Sequence, residues 1–262
     1  MSEWRELSGP LDAFTLGSGH RIVFAHGFTQ TSTSWKPIAE HFAANGFEAV
    51  IVDLPGHGGS GEVRADLRRG ADMLNAMVGR ATYVGYSLGG RFCLHAAVMF
   101  PGNVRRLALL GTSPGIDDDD ERARRRAADD RLAAHMREVG LEAFLDEWVA
   151  QPLFGGLQLS AADRADRLRN TVDGLESSLF MAGNGAQGSL WRRLRELSMP
   201  VLALAGALDD KFMSIAEQTA NAVIRGTFVA IPDAAHAVHL QQPAAVIAAL
   251  EAWLADSSTL GP

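Results

Sequence analysis

Six short runs of apolar residues recur along the chain, separated by longer segments with a helical pattern. The runs are continuous rather than alternating, which is typical of strands covered on both faces of a parallel sheet. The last helical segment begins at Pro243, a residue suited to a first helical turn. This alternation predicts a doubly wound, mostly parallel α/β sheet. The predicted strands are 21–27, 48–54, 81–87, 104–111, 200–209 and 227–234, and the predicted helices include 34–45, 63–79, 88–100, 211–224 and 243–255.

The alternation stops between about Pro114 and Leu197. This stretch contains several helical patterns rich in Arg, Asp and Ala, and no convincing strand. Open α/β sheets bind ligands beyond the carboxyl ends of their strands, and a helical insertion placed there would exclude water. We therefore predict a core made of residues 1–113 and 198–262, with a helical lid at 114–197.

Composition narrows the classes of partner. The formal net charge of −7 argues against a nucleic-acid or anionic-membrane partner, although a local arginine cluster still allows an anionic small molecule.

Cys93 is the only cysteine, so an intrachain disulfide is excluded, and its apolar neighbours predict a buried, inert thiol. The first ten residues lack the apolar core of a secretory signal, and no apolar run approaches the ~20 residues that span a bilayer. We expect a cytoplasmic protein.

A serine between two glycines, in the pentapeptide GYSLG, follows the third predicted strand and precedes a helix. This strand–turn–helix context is what a nucleophile elbow requires. Asp209 ends a later predicted strand and His236 follows the last one, so the chain order is Ser87, Asp209, His236. His236 is predicted to take a proton from Ser87, while Asp209 fixes the imidazole tautomer. The tripeptide HGF follows the first predicted strand, and predicts an oxyanion hole made by the backbone N–H groups of Phe28 and Leu88.

Other residues near these positions leave alternatives open. Asp210 could replace its neighbour as the acid. His239 lies three residues after His236, and such a pair can suggest a metal. Without a third ligand, a hydrogen-bonded structural histidine is the favoured interpretation, so no metal is predicted. His57 is expected in a loop, and His95 is expected to pack along its helix.

Arg91 lies four residues after the serine of the elbow, and therefore on the same face of the predicted helix. A surface arginine turned to solvent is the competing interpretation. The lid adds the arginine-rich segments ERARRRAADDR and DRADRLRN, most of whose charges fit solvated helix faces. One inward arginine from each segment, together with Arg91, would form a tricationic pocket. Arginine is the side chain suited to binding carboxylates with two parallel hydrogen bonds.

Several motifs together resemble one enzyme family along nearly the whole chain. The sequence is similar to the 2-succinyl-6-hydroxy-2,4-cyclohexadiene-1-carboxylate (SHCHC) synthases of menaquinone biosynthesis, which have the α/β-hydrolase fold. The motifs that carry the resemblance are VDLPGHGGS, VGYSLGGR, ERARRR, FLDEWVAQPLF, LRN, LDDKF and HAVHLQQP.

The resemblance implies a lyase, which uses no acyl-enzyme. Members of this family remove a proton from 2-succinyl-5-enolpyruvyl-6-hydroxy-3-cyclohexene-1-carboxylate and expel pyruvate, with the triad serine as base. The substrate carries three carboxylates, and the family binds them with arginines that match Arg91, Arg125 and Arg169. Tyr86 and Trp148 match further pocket positions. No cofactor is implied, and the expected partner is a small polycarboxylate.

Two points in matching the family's residues to this sequence stay open. Arg124 or Arg126 could replace Arg125 after a shift of one residue in the alignment. Val149 stands where the family often has tyrosine, which could alter rate or substrate.

The triad alone also fits an ordinary serine hydrolase of small esters or of carbon–carbon bonds in acids, because many chemistries share this fold. A non-enzymatic ligand sensor is a third interpretation, and the intact Ser–Asp–His set argues against it.

Overall fold

An open sheet of eight strands forms the centre of the molecule, in a computed structural model that describes residues 3–256. The strand order is β1-β2-β4-β3-β5-β6-β7-β8, and the six strands from β3 onward run parallel to their neighbours among themselves. This confirms the predicted α/β-hydrolase architecture with its mostly parallel sheet. The strands are β1 (Arg5–Glu6), β2 (Ala13–Gly17), β3 (His20–Ala25), β4 (Phe47–Val52), β5 (Ala81–Tyr86), β6 (Val104–Leu110), β7 (Val201–Gly206) and β8 (Gly226–Ile231).

The first two strands were not predicted. β1 has only two exposed residues, and β2 is a five-residue strand with mixed burial that pairs antiparallel with β1 and with β4. Neither gives the continuous apolar run by which the six inner strands were found.

Ten α-helices accompany the sheet within residues 3–256. Those outside the 114–197 region are α1 (Lys36–Ala44), α2 (Leu67–Val78), α3 (Leu88–Met99), α8 (Asp210–Ala222), α9 (Val238–Gln241) and α10 (Pro243–Ala255). α2 begins four residues later than predicted because Asp66 caps it, accepting a hydrogen bond from the backbone N–H of Arg69 at 2.7 Å. Pro243 is the first residue of α10, where its missing N–H leaves no helical hydrogen bond unmade.

The inner strands send alternate side chains to two apolar layers. In β3, Val23 and Ala25 pack in the layer covered by α2 and α3, whereas Ile22 and Phe24 pack in the layer covered by α1 and α10. Both faces of the sheet are therefore buried, which explains why these strands read as continuous apolar runs.

Residues 114–197 hold no strand. They form α4 (Asp119–Val139), α5 (Leu141–Val149), α6 (Ala161–Arg167) and α7 (Val172–Ala182), with short 3-10 helices at 152–154 and 191–196. Apolar side chains from α4, α5 and α7 make a small core of their own, formed by Ala133, Met136, Phe144, Leu175 and Leu179. Where the core ends and the lid begins stays a prediction. Within residues 3–256, no helix has the length and apolar character needed to cross a membrane.

Candidate active site

Ser87 lies in a sharp turn between β5 and α3. Its backbone has φ 50° and ψ −107°, a left-handed conformation that non-glycine residues rarely adopt. The turn is tight enough that a Cβ on Gly85 would lie 2.5 Å from the Cα of Gly90, and a Cβ on Gly89 would overlap the carbonyl oxygen of Ala25. Glycine is therefore required at these positions, and the serine projects from the carboxyl end of its strand.

His236 bridges the serine and an aspartate. Its Nδ1 lies 2.8 Å from Oδ2 of Asp209, and its Nε2 lies 3.3 Å from Oγ of Ser87. Because the carboxylate accepts the Nδ1–H, Nε2 is free to accept the serine proton. The structure thus brings together the three residues that the sequence predicted as a triad.

The structure places Asp209, and not Asp210, against His236. Asp209 caps α8, accepting at Oδ1 the backbone N–H of Phe212 at 3.2 Å, while Oδ2 faces the histidine. The side chains of Asp209 and His236 are each 4% exposed. Asp210 is exposed, and it is Asp209 that lies in contact with His236, so the alternative acid is not supported. Because both side chains are shielded from solvent, the carboxylate can hold the imidazole in one tautomer and stabilise its charged form.

The residues of the predicted oxyanion hole lie in the turn after β3 and at the start of α3. Phe28 is the second residue of a turn closed by the hydrogen bond from the N–H of Gln30 to the carbonyl of Gly27 at 3.2 Å. Leu88 is the first residue of α3, so its N–H has no partner within the helix. Both residues line the cavity over Ser87. Their role as oxyanion donors remains a prediction.

A cavity of about 940 Å³, counted to its open mouth, lies between the sheet and α4–α7. Ser87 and His236 form its floor. Aromatic and aliphatic side chains supply much of its wall, among them Phe28, Tyr86, Trp148, Leu153, Phe154 and Phe212. Tyr86 and Trp148 thus lie where the sequence placed them, whereas Val149 does not line the cavity.

Four cationic side chains also line this cavity: Arg91, Arg125, Arg167 and Lys211. No Asp or Glu is among the lining residues. In a chain with a net charge of −7, this local excess of positive charge marks a site for an anion.

Arg91 and Arg167 are the two buried cations of the four, and Arg91 is 8% exposed. Its Nη1 donates to the carbonyl oxygen of Ala182 at 2.6 Å, and within residues 3–256 it forms no ion pair with a carboxylate. Burial, and then the charge of Arg125, lowers its pKa to about 9. The guanidinium is still charged at pH 7, but its charge is poorly compensated in the free protein. An anion in the cavity would supply that compensation.

Arg125 is the arginine of its cluster that reaches the cavity. Its Nε donates to Oδ1 of the buried Asp129 at 2.7 Å, and Oδ2 of Asp129 accepts the N–H of Gly185 at 3.0 Å. Arg124 is exposed, and Arg126 pairs with Asp130 on the outer face. Of the three arginines that the alignment left open, Arg125 is the one that lines the cavity, and its role in substrate binding stays a prediction.

The prediction for Arg169 is not supported by the structure. Its side chain is half exposed, and Nη1 pairs with Oδ1 of Asp166 at 3.0 Å. α6 ends at Arg167, and the chain then turns, so a residue two positions further points outward. Arg167 occupies the cavity instead: it is 5% exposed and donates from Nη1 to Oγ1 of Thr29 at 2.6 Å. Burial lowers its pKa.

His239 is buried, but the expected hydrogen bond is absent. Neither ring nitrogen has a partner in the described part of the chain, and the ring stacks on Trp35 with centroids 4.6 Å apart. Burial, then Arg167 and His236, holds its pKa well below the usual value.

His57 lies in a loop and His95 hydrogen-bonds along its helix, both as expected. Residues 3–256 contain no group of three or more metal-ligating side chains.

Sequence reasoning missed several residues of the cavity. Arg167 stands two positions before the arginine that was chosen, inside the same segment, and Lys211 stands inside the LDDKF motif. Both segments were already identified from the sequence. Only the turn after α6, however, shows that Arg167 and not Arg169 faces the cavity. Gln30, Ser178 and Asn184 also line the cavity, and no pattern singled them out.

Comparison with known proteins assigns the family. The sequence profile of the alpha/beta hydrolase family matches residues 22–249. A 2-succinyl-6-hydroxy-2,4-cyclohexadiene-1-carboxylate synthase from Salmonella paratyphi C is 34% identical over 241 residues, covering 87% of this chain and 91% of its own. The chain belongs to the SHCHC synthase family. It is accordingly an enzyme of the α/β hydrolase superfamily.

Solved structures agree with this assignment. The structure of MenH from S. aureus superposes with a TM-score of 0.87 at 27% identity, over 98% of both chains. A thermophilic esterase from Thermogutta terrifontis superposes with a TM-score of 0.78 at 24% identity, over 96% of this chain and 98% of its own. The second likeness shows only that the fold is shared with esterases.

Proposed function

We propose that the chain is a SHCHC synthase, which eliminates pyruvate from 2-succinyl-5-enolpyruvyl-6-hydroxy-3-cyclohexene-1-carboxylate. One observation carries the proposal: four cations and no carboxylate line the cavity above Ser87. A substrate with three carboxylates matches that charge. The names of the relatives support the same reaction.

The triad would serve as a base toward carbon. His236 takes the Oγ proton of Ser87, and Asp209 stabilises the imidazolium that forms. The serine oxygen then removes the proton from the ring carbon next to the succinyl carbonyl. Negative charge moves onto the carbonyl oxygen, where the N–H groups of Phe28 and Leu88 stabilise it.

Elimination completes the reaction. The electron pair of the broken C–H bond forms a double bond to the neighbouring ring carbon, the existing ring double bond moves one position along the ring, and the C–O bond to the enolpyruvyl group breaks. Its electrons leave on the oxygen of the pyruvate enolate, whose methylene carbon takes up a proton to give pyruvate, and the imidazolium of His236 gives up its proton to restore the triad. Ser87 forms no covalent bond to the substrate.

The cations would hold the substrate for this step. Arg91 and Arg167, which have no carboxylate partner among the described residues, are the strongest candidates for direct ion pairs with substrate. Arg125 is restrained by Asp129 and presents its remaining N–H groups to the cavity. Desolvated charge-assisted hydrogen bonds of this kind contribute roughly 1.5–3 kcal/mol each.

The test is pyruvate release from the enolpyruvyl substrate, coupled to lactate dehydrogenase and run beside hydrolysis of a p-nitrophenyl ester. The proposal expects rapid pyruvate release, negligible ester cleavage, and loss of turnover in Ser87→Ala. Ester hydrolysis without pyruvate release, with an acyl group trapped on Ser87, would instead establish the serine hydrolase.

A further inference from the structure

The turn that carries Phe28 is strained. It spans Gly27 to Gln30, and its third residue, Thr29, has φ 68°. A positive φ at this position is the mark of a type II turn, which normally has glycine there. Thr29 is β-branched, so it disfavours this conformation and needs neighbouring contacts to hold it.

Two hydrogen bonds, one from the last residue of α6 and one from the segment after it, hold Thr29 in place. Asn170 donates from Nδ2 to the Thr29 carbonyl oxygen at 2.9 Å, and Arg167 donates from Nη1 to the Thr29 hydroxyl at 2.6 Å. One turn residue is therefore fixed at both its backbone and its side chain.

Asn170 is itself anchored on two other segments. Its Oδ1 accepts the N–H of Gly58 at 2.9 Å, and its Nδ2 also donates to the carbonyl oxygen of Arg167 at 2.9 Å. The residue is 4% exposed. A second link lies close by, where the hydroxyl of Thr31 donates to Asp166. A buried amide with all these partners fixes three segments relative to one another.

We propose that Asn170 and Thr29 are positioning residues that join Arg167 to the Phe28 turn, so that the cation holding a substrate carboxylate and the N–H facing the oxyanion form one rigid unit. The inference rests on the proposed function for the roles of Arg167 and Phe28. It adds that correct placement of the oxyanion donor depends on a side chain from the helical region.

The first test replaces Asn170 by Ala. We expect kcat for pyruvate release to fall about ten-fold or more, since a misplaced oxyanion donor weakens only the stabilisation of developing charge. Substrate affinity, compared between Ser87→Ala and Ser87→Ala/Asn170→Ala by calorimetry, should change less than about two-fold. Asn103→Ala removes another partly buried asparagine, bonded to Asn75 far from the cavity, and should leave kcat unchanged.

The second test changes Thr29. Glycine adopts positive φ without strain, so in a Thr29→Gly background the Asn170→Ala substitution should lower kcat by no more than about two-fold. An equal loss in both backgrounds would mean that Asn170 does not act through the turn. Thr29→Ser keeps the hydroxyl for Arg167 and should behave as the parent protein, whereas Thr29→Val, of nearly the same shape, should lower kcat/KM.

A crystal structure of Asn170→Ala separates this inference from the proposed function. If the unaltered chain releases no pyruvate, the proposed function fails, and the structure still decides the positioning role. We expect the Phe28 turn to shift and Thr29 to leave the positive-φ region. An unchanged turn would overturn the inference, whatever reaction the enzyme catalyses.

Discussion

The two walls of the cavity are built in different ways. The sheet wall carries Ser87, Asp209 and His236 on the connections that follow β5, β7 and β8, and hydrogen bonds join the three side chains. The helical wall carries Arg125 and Arg167 on α4 and α6, whose outer faces are held by exposed ion pairs.

The triad therefore lies wholly on the sheet side of the cavity, whereas the cations come from both sides, with Arg91 on α3 and Lys211 on α8. A proton relay needs atoms fixed within a few tenths of an ångström, and turns at the ends of buried strands provide that rigidity. Carboxylate recognition tolerates more freedom, so it can be placed on helices that have only a small core of their own. The contact between Asn170 and Thr29 is where the helical wall constrains the sheet wall.

The sharpest test of the sheet wall is His236→Ala. We expect kcat to fall by about 10⁴-fold, because Ser87 loses its proton acceptor while the cations still bind substrate. Steady-state pyruvate release measures the loss, and calorimetry with the substrate measures the retained binding. His135→Ala, at an exposed histidine on α4, should turn over normally. Normal turnover in His236→Ala would remove it from the mechanism.

The helical wall is tested by two neighbouring arginines. Arg167→Ala should lower kcat/KM by about 10- to 100-fold, the loss expected for one buried charge-assisted contact. Arg169→Ala should stay within about two-fold of the parent protein, since its side chain is half exposed and does not line the cavity. The reverse ranking would restore the alignment-based prediction and exclude Arg167 from the carboxylate site.

A third test concerns stability rather than rate. Burial, and then the nearby His26, lowers the pKa of His57 from 6.5 to about 3. Between these two values the unfolded chain binds a proton that the folded chain does not, so stability falls as pH drops below 6.5. Lowering the pH from 7 to 5 should reduce the free energy of unfolding by about 2 kcal/mol through His57.

Urea unfolding at the two pH values measures that cost. In His57→Gln, the difference between pH 7 and pH 5 should shrink by about the same amount. An undiminished difference would assign the acid sensitivity to other groups.

The smallest effect is expected at the outer face of the helical wall. Arg164 pairs with Glu142 at 2.9 Å and Asp146 at 3.0 Å, and these groups are largely exposed. Exposed pairs of this kind contribute little, and salt screens them. Arg164→Gln should therefore leave kcat/KM and the urea midpoint unchanged within error. A clear loss of activity would show that the outer face helps to shape the cavity.

The sequence correctly predicted the strands that are buried on both faces of the sheet. All six inner strands appear within one to three residues of their predicted bounds, because a strand covered on both faces must be apolar throughout. It failed at β1 and β2, which are short and lie at the antiparallel edge of the sheet. The sequence similarly marked Ser87, Asp209 and His236, because each follows a strand that could be recognised.

The arginines show what the sequence left undetermined. Most arginines of the helical region are solvated, and composition cannot distinguish Arg167 from Arg169 when both lie in one polar segment. Only the end of α6 decides which of them turns inward.

The sequence by itself determined the alternation of strands and helices, the strand-end residues and the family. Those features depend on short-range patterns of apolar residues and glycines, which are local to each segment. The tertiary structure alone decided which cations share the cavity and which contacts hold Thr29 at positive φ. These depend on side chains from α4, α6 and the loop after β3, which are brought together only when the helical region packs over the sheet.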